Sequence, residues 1–506
     1  MKKINVFLLT VLFSASLMGP LGSGILADET TEQSYQSGND TGVSKLPATV
    51  SKLDTVTDQT IKGVDLTSYQ AETEAGVQFY DFNHSHLSGL SFMNFLKSNG
   101  INYVNLKVAV NPFDNQGKPY GQGVPSIENA LKTAVLAKQV GLKVNINLLY
   151  SDAYTSDEVQ KLPKGWDSDT TKLTQEVKTY TDGVIERLKN SGVVPDMITV
   201  GNQINYQFLE QTDWPTITQL LKIVTDDISD ELPDTQIAIG LGKPNQYWST
   251  PIWQLNNAKI KYDTISANIN PAWNSLGDIQ SAKDEVLKAG KLFTVGSVLY
   301  PFTDQDSDGK TNDTLASDIL SKSVGTISPQ GQATYLQSVF KLVTADGNNQ
   351  GAGVFYGDAT WIAVKAGSQT NYQTNLDAAN QYGTGWASKY AIGYISGADQ
   401  YSGANTQDNQ ALFDDLGNPL QSLTVFKQLA DADNTAQMPT NDDNAAQKDP
   451  YEFGGDTGLK DQKVGINQIP SMTNQAIRGV DISSYQALKD AGVKFYDYSG
   501  LSLIHI

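Results

Sequence analysis

The sequence predicts an α/β fold, a (β/α)8 TIM barrel, on three observations. Eight short apolar runs recur after Ile61, amphipathic stretches separate most of them, and all lie in one continuous span ending near residue 430. The runs, read as short buried strands, are Ile61–Asp65, Tyr103–Val110, Val144–Leu149, Met197–Val200, Ile237–Ile239, Ile265–Ile269, Leu292–Val298 and Gly353–Tyr356. Between them, Ile127 to Gln139, Leu173 to Leu188 and Gln332 to Val343 space their apolar residues as helices that bury one face. In such a barrel the working groups sit at the C-terminal strand ends. A doubly wound open sheet uses the same alternation and stands as the alternative.

The flanks read differently. Lys2-Lys3, an apolar stretch from Ile4 to Met18 and small residues ending at Ala27 form a secretory signal, so residues 1–27 are expected to be removed. Residues 28–60, rich in Thr, Ser, Asp and Gln, are expected to be a disordered linker, and residues 431–475 an acidic one. From Ile477 the stretch "IRGVDISSYQALKDAGVKFYD" repeats "IKGVDLTSYQAETEAGVQFYD" from Ile61 without a gap. Residues 476–500 are therefore expected to start a second tandem copy of the barrel. Residues 501–506, "LSLIHI", do not repeat Ser85 to Leu90 and read as a translated sequencing-adapter end.

A formal net charge of -19 and a pI of about 4.5 argue against nucleic acid as a partner. The chain has no Cys, which excludes disulfides, a thiol nucleophile and cysteine metal ligands. With three His, neither a histidine zinc site nor a Ser-His-Asp triad is expected. No later segment reaches the roughly 18 apolar residues that a membrane span needs. The expected location is secreted, extracellular or at the surface of a Gram-positive type of cell.

The chemistry-bearing stretches follow the strands. "TVGNQIN", Thr199 to Asn205, emerges from the run at Met197 into a loop, and further stretches are "GINYVNLKVAVNPFD", "LLYSD", "LPKGW", "YPFTDQDSDG", "SPQGQATYL", "GTGWASKYA" and "DNQALFDDLGNPLQSL". With "IKGVDLTSY" at the start, these resemble glycoside hydrolase family 53, the arabinogalactan endo-β-1,4-galactanases, in order from Ile61 to about Leu429. The resemblance implies a (β/α)8 barrel that cleaves β-1,4-galactan with retention and needs no cofactor. Retention uses two carboxyls about 5–5.5 Å apart, one cycling a proton and one attacking the sugar.

The resemblance also shows departures. It puts the proton donor at Gln203 and the nucleophile at Ser297, where the family has glutamates. An amide cannot ionise, and a hydroxyl without a base attacks poorly. Carboxylates that could substitute are Asp65, Asp152 and Asp358, although the expectation for each is a plain hydrogen-bonded residue at a strand end. The family's Arg-x-Trp is Lys107 and Ala109 here, its Asp and His after the third strand are Asn147 and Leu149, its paired tyrosines are Ile269 and Asn270, and the Trp after "GVFY" is Gly357. Losing aromatic faces on which sugars stack implies a remodelled groove. Candidate substrate-binding residues are Asn202, Asn205, Lys107, Tyr150, Asp152, Trp166, Trp273 and Asp358, with Trp361 expected in the core.

Asp304, Asp306 and Asp308 in "DQDSDG" have the spacing of a calcium loop, but Leu315 stands where an EF-hand needs Glu. A solvated turn is the expectation, and no metal is assigned. Three functions stay open: a catalytically degenerate, glycan-binding surface module, an active galactanase acting on galactan or a related polysaccharide, and a surface spacer or adhesin without a sugar site.

Overall fold

The computed structural model describes residues 41–430, apart from short stretches at 245–247, 315, 322–324, 346–350, 367, 396, 399–401 and 404. The leader, the acidic linker, the second copy and the last six residues lie outside the described residues. The expected linker at 28–60 is corrected for residues 41–60, which form an ordered strap. Ala48 and Val56 are buried, the Val50 amide donates to the Gln428 side chain (2.8 Å), and the Leu53 amide donates to the Leu429 carbonyl (3.0 Å). Apolar residues spaced among polar ones give the strap one buried edge, which average composition hides.

Eight parallel strands close the barrel. They are β1 (Ile61–Asp65), β4 (Tyr103–Val108), β5 (Lys143–Leu148), β6 (Met197–Val200), β7 (Gln236–Leu241), β8 (Thr264–Ile269), β9 (Leu292–Val298) and β10 (Gly351–Asp358). β1 pairs in parallel with both β4 and β10, and this closure excludes the open sheet. A small antiparallel hairpin, β2 (Phe79–Tyr80) and β3 (His86–Leu87), precedes the second strand of the barrel. It has no counterpart in the sequence reading, because two-residue strands leave no periodicity.

The outer helices include α1 (Tyr69–Glu74), α2 (Gly89–Ser98), α3 (Ile127–Gln139), α4 (Thr170–Asn190), α5 (Trp214–Glu231), α6 (Ser249–Asn257), α7 (Leu276–Lys288), α8 (Ala316–Ser321), α9 (Pro329–Thr344) and α10 (Ser368–Tyr382). Their starts are written locally. Ser126, Asp169, Asp213, Ser275 and Ser328 accept hydrogen bonds from first-turn amides of α3, α4, α5, α7 and α9. Pro215 and Pro329 stand in the first turns of α5 and α9, where a missing N–H costs nothing. Among the described residues no helix is long and apolar enough to cross a membrane.

Inside the barrel, apolar and polar layers follow one another. Ile61, Tyr103, Met197, Ala238 and Phe355 plug the N-terminal end. A Cβ at Gly63 would lie 2.1 Å from the Phe355 ring, so only glycine leaves room for that plug. Above it, the Asn145 side chain donates to Asn105 (2.7 Å) and Thr199 (3.0 Å), which satisfies the buried amides. The next positions along these strands open at the mouth.

Candidate functional site at the barrel mouth

The chain leaves β6 through Gly201, Asn202 and Gln203. Gln203 adopts a left-handed backbone, φ 57°, sparsely populated for a residue with a side chain and retained mostly at functional positions. Its Nε2 donates to the Tyr154 hydroxyl at 3.0 Å. Asn268, near the end of β8, donates to the Asn202 side chain at 2.7 Å and to the same tyrosine at 3.3 Å. Ser297 sits at the end of β9 as the register partner of Asn268 and is half-buried. Gln203, Tyr154, Asn268 and Ser297 thus form one half-buried floor of amides and hydroxyls. A Cβ at Gly242 would come 2.5 Å from Gln203 Oε1, so glycine just after β7 makes space for that amide.

The β1, β4 and β10 side of the mouth carries charge. Lys107 Nζ lies 2.8 Å from Asp65 Oδ2 and 5.7 Å from the centre of the Tyr154 ring. Burial would lower the Lys107 ammonium, but Asp65 beside it holds it above the ordinary lysine range. Asp65 also accepts from the Thr67 amide (2.8 Å) and the Asn105 side chain (2.6 Å). Asp358 accepts from the Ser68 amide (2.9 Å) and the Ser68 hydroxyl (2.6 Å). Burial first, and the Asp65 charge second, push its carboxyl up to about 7 against the opposing pull of Lys107.

Asp152, the third carboxylate, accepts from the Asn111 amide (3.0 Å) and the Lys164 amide (2.9 Å), with the Lys164 ammonium at 3.8 Å. It ties loops together and is fully buried. Each of these three carboxylates is therefore committed to backbone or side-chain donors.

Several expected substrate contacts are corrected. Asp152 is one, for the reason just given. Tyr150 is 1% exposed, its hydroxyl bonded to Thr181 (2.8 Å), and it packs against Phe208 beneath the mouth. Asn205 closes a two-way clamp with the Gly242 backbone, 2.7 Å each way. Asn202 is buried, its amide nitrogen given to the Thr155 carbonyl, and it supports Asn268 instead of facing a ligand. Trp166 packs edge-on against Tyr180 on the core. Tyr150, Asp152, Asn202 and Asn205 follow strand ends in sequence, but hydrogen bonding turns them inward, and a ring contact with Tyr180 holds half-buried Trp166.

Trp273 stands 63% exposed in the loop after β8. Trp361 is buried, its indole donating to the Thr384 carbonyl. At Gly357 the Leu299 side chain, 2.4 Å from where a Cβ would sit, fills space next to the position of the family's tryptophan.

Three floor and wall residues escaped the sequence reading. Tyr154 and Asn268 complete the floor, and Trp386, half-buried, meets Tyr154 edge-on at 6.0 Å. The available signals were faint. Asn268 is a polar residue inside a buried strand, and Trp386 lies in the quoted stretch "GTGWASKYA".

Beyond β9, carboxylate oxygens of Asp306, Asp308 and Asp408 gather within 4.8 Å, whereas Asp304 is not part of that group. Burial, and more weakly Asp306 and Asp415, push Asp308 up to about 8 against two backbone donors. Hard carboxylate oxygens of this kind fit a divalent cation such as calcium.

Comparison with known proteins agrees with this geometry. Residues 61–426 match the family model of Glycosyl hydrolase family 53. The chain is 32% identical over 395 residues to an endo-beta-1,4-galactanase of Bacillus subtilis, covering 75% of this chain and 88% of that protein. It is 28% identical over 319 residues to an arabinogalactan endo-beta-1,4-galactanase of Thermothelomyces thermophilus, covering 60% and 90%. The family 53 catalytic domain of Ignisphaera aggregans superposes with a TM-score of 0.67 at 27% identity, over 76% of this chain and all of that one (100%).

Proposed function

The chain belongs to glycosyl hydrolase family 53, and from that premise we propose that it is a secreted protein that binds β-1,4-galactan or a related neutral glycan without cleaving it. One observation carries the reading: an amide, Gln203, and an alcohol, Ser297, stand where the resemblance puts the two acids. Gln203 keeps the length of glutamate and can hydrogen-bond a sugar oxygen, but it has no proton to cycle. Ser297 has no base hydrogen-bonded to its hydroxyl among the described residues, so it is a weak nucleophile.

The same floor suits binding. Gln203, Tyr154, Asn268 and Ser297 offer uncharged donors and acceptors, while Tyr154, Trp386 and exposed Trp273 offer ring faces for sugars. Lys107 is neutralised by Asp65 and adds no net charge to attract an acidic polymer. Secretion rests on the leader-like first 27 residues.

The second reading, an active endo-β-1,4-galactanase, is favoured by the 32% identity to the Bacillus subtilis enzyme and by Asp358, whose carboxyl at about 7 holds a proton near neutral pH. Incubation of the protein with galactan separates the two. Retarded migration in a galactan gel without new reducing ends supports binding alone. Steady release of reducing ends that Asp358→Asn abolishes establishes the enzyme, and neither binding nor release leaves a spacer.

A further inference from the structure

Helix α6 buries Pro251, Ile252 and Leu255 against the barrel. Its other face, Ser249, Thr250, Trp253, Asn256 and Asn257, is exposed, and Trp253 itself is 60% exposed. Helical spacing puts Ser249 and Thr250 one turn before the indole and Asn256 and Asn257 one turn after it. The helix contains no ionisable side chain, in a chain with 55 Asp and Glu. Its neighbour α5 is different, with Lys222 paired to Asp226 (3.0 Å) and Lys261 reaching Asp226 (3.1 Å) and Asp230 (3.2 Å).

An exposed indole whose neighbours one turn away on its helix are only hydroxyls and amides is the composition that holds an uncharged sugar chain. The ring face stacks on the C–H face of a pyranose, and the flanking groups exchange hydrogen bonds with its hydroxyls. Asn256 Oδ1 already accepts from the Tyr262 hydroxyl at 2.8 Å, which leaves its Nδ2 for an outside acceptor. A charged partner would find no counter-ion on this helix. Trp253 also sits on the outer ring of helices, unlike Trp273, which stands on a strand-end loop at the mouth.

We propose that the Trp253 face of α6 is a second glycan-binding site, which holds a neutral polysaccharide chain on the outer wall of the barrel. This inference rests on the glycan-binding reading of the mouth. Two linked contacts along one polymer raise retention on long chains while leaving the affinity of the mouth for a short oligosaccharide unchanged.

The test compares wild-type protein with Trp253→Ala in native gels containing polymeric galactan, and by calorimetry with a β-1,4-linked galactotetraose. The expected result is a loss of polymer affinity of about five- to tenfold, with unchanged tetraose affinity and an unchanged melting temperature. Trp253→Phe is expected to retain most of the polymer affinity. Equal retardation of wild type and Trp253→Ala overturns this site but leaves the mouth intact. A parallel loss of tetraose affinity also overturns it, since the two sites would then not be separate. A wild-type protein that polymer does not retard refutes the glycan-binding reading and this inference with it.

Discussion

At the β1, β4 and β10 ends of the barrel mouth, Asp65, Lys107 and Asp358 form an ionisable set, with Asp65 paired to Lys107. At the β6, β8 and β9 ends, Gln203, Asn202, Asn268 and Ser297 form an uncharged one. In the first set each carboxylate accepts from backbone amides and side chains, so the charges hold strand ends and turns in place. In the second, Gln203 and Asn268 donate to the Tyr154 hydroxyl and Asn268 to Asn202, beside Ser297 in the register of β8 and β9. Charge persists where the scaffold needs it, and it is missing where the resemblance assigns acid–base and nucleophilic chemistry. On the proposed reading, the barrel keeps its architecture and a polar mouth without those two acids.

The sharpest way to break this contrast is to return charge to the uncharged side. The double variant Gln203→Glu with Ser297→Glu is expected to raise galactan hydrolysis about a thousandfold over wild type, measured as reducing ends. Each single change should give far less, because the two groups act as a unit. A double variant as inactive as wild type would place the loss in the reshaped groove near Gly357 and Leu299 instead.

Removing charge from the other side tests the scaffold. Lys107→Met leaves Asp65 buried without its cation and should cost about 3–5 kcal/mol in urea unfolding. Gln203→Met, at the surface of the uncharged floor, should cost no more than about 1 kcal/mol. Equal losses would remove the distinction between the two sides.

Behind the charged side, Glu72 on α1 is fully buried, and neither carboxyl oxygen has a hydrogen-bond partner among the described residues. Burial, then Asp358 and Asp308, raise its pKa well above the usual carboxylate range. Such a group contributes its full stability below its unfolded pKa of about 4.3 and loses it as pH rises toward the folded value. Glu72→Leu should therefore stabilise by about 1–3 kcal/mol at neutral pH, with a gain that shrinks toward pH 4. The repeat from Ile477 carries Leu488 at this place. A gain independent of pH would mean that Glu72 is not held as the neutral acid.

The smallest effect belongs to the acidic group of Asp306, Asp308 and Asp408. Millimolar calcium is expected to stabilise by about 1 kcal/mol, roughly 2–4 °C in melting temperature for a domain of this size. Asp408→Asn should abolish the response to calcium. An unchanged wild-type melting temperature would leave the three carboxylates as a largely buried acidic group that binds no calcium.

Most of the barrel was legible because buried strands and one-sided helices leave periodic traces. All eight apolar runs became strands, with ends shifted by a few residues; the run read to Val110 stops at Val108. The strap was not legible, since its buried edge is diluted by polar neighbours. At the mouth, Gln203 and Ser297 could be placed because flanking motifs fix their position. Tyr154 and Asn268 could not, because they meet across 114 residues only when the barrel closes. Tyr150, Asn205 and Asp152 looked available in sequence and proved to be turned inward by bonds that no spacing reveals.

The most direct measurement is the release of reducing ends from β-1,4-galactan by the purified protein, followed alongside its retardation in a galactan gel. The account predicts retarded migration with no release above the buffer blank across pH 4 to pH 8. Sustained turnover that Asp358→Asn eliminates would contradict it, for the charged side of the mouth would then be doing the chemistry assigned to neither.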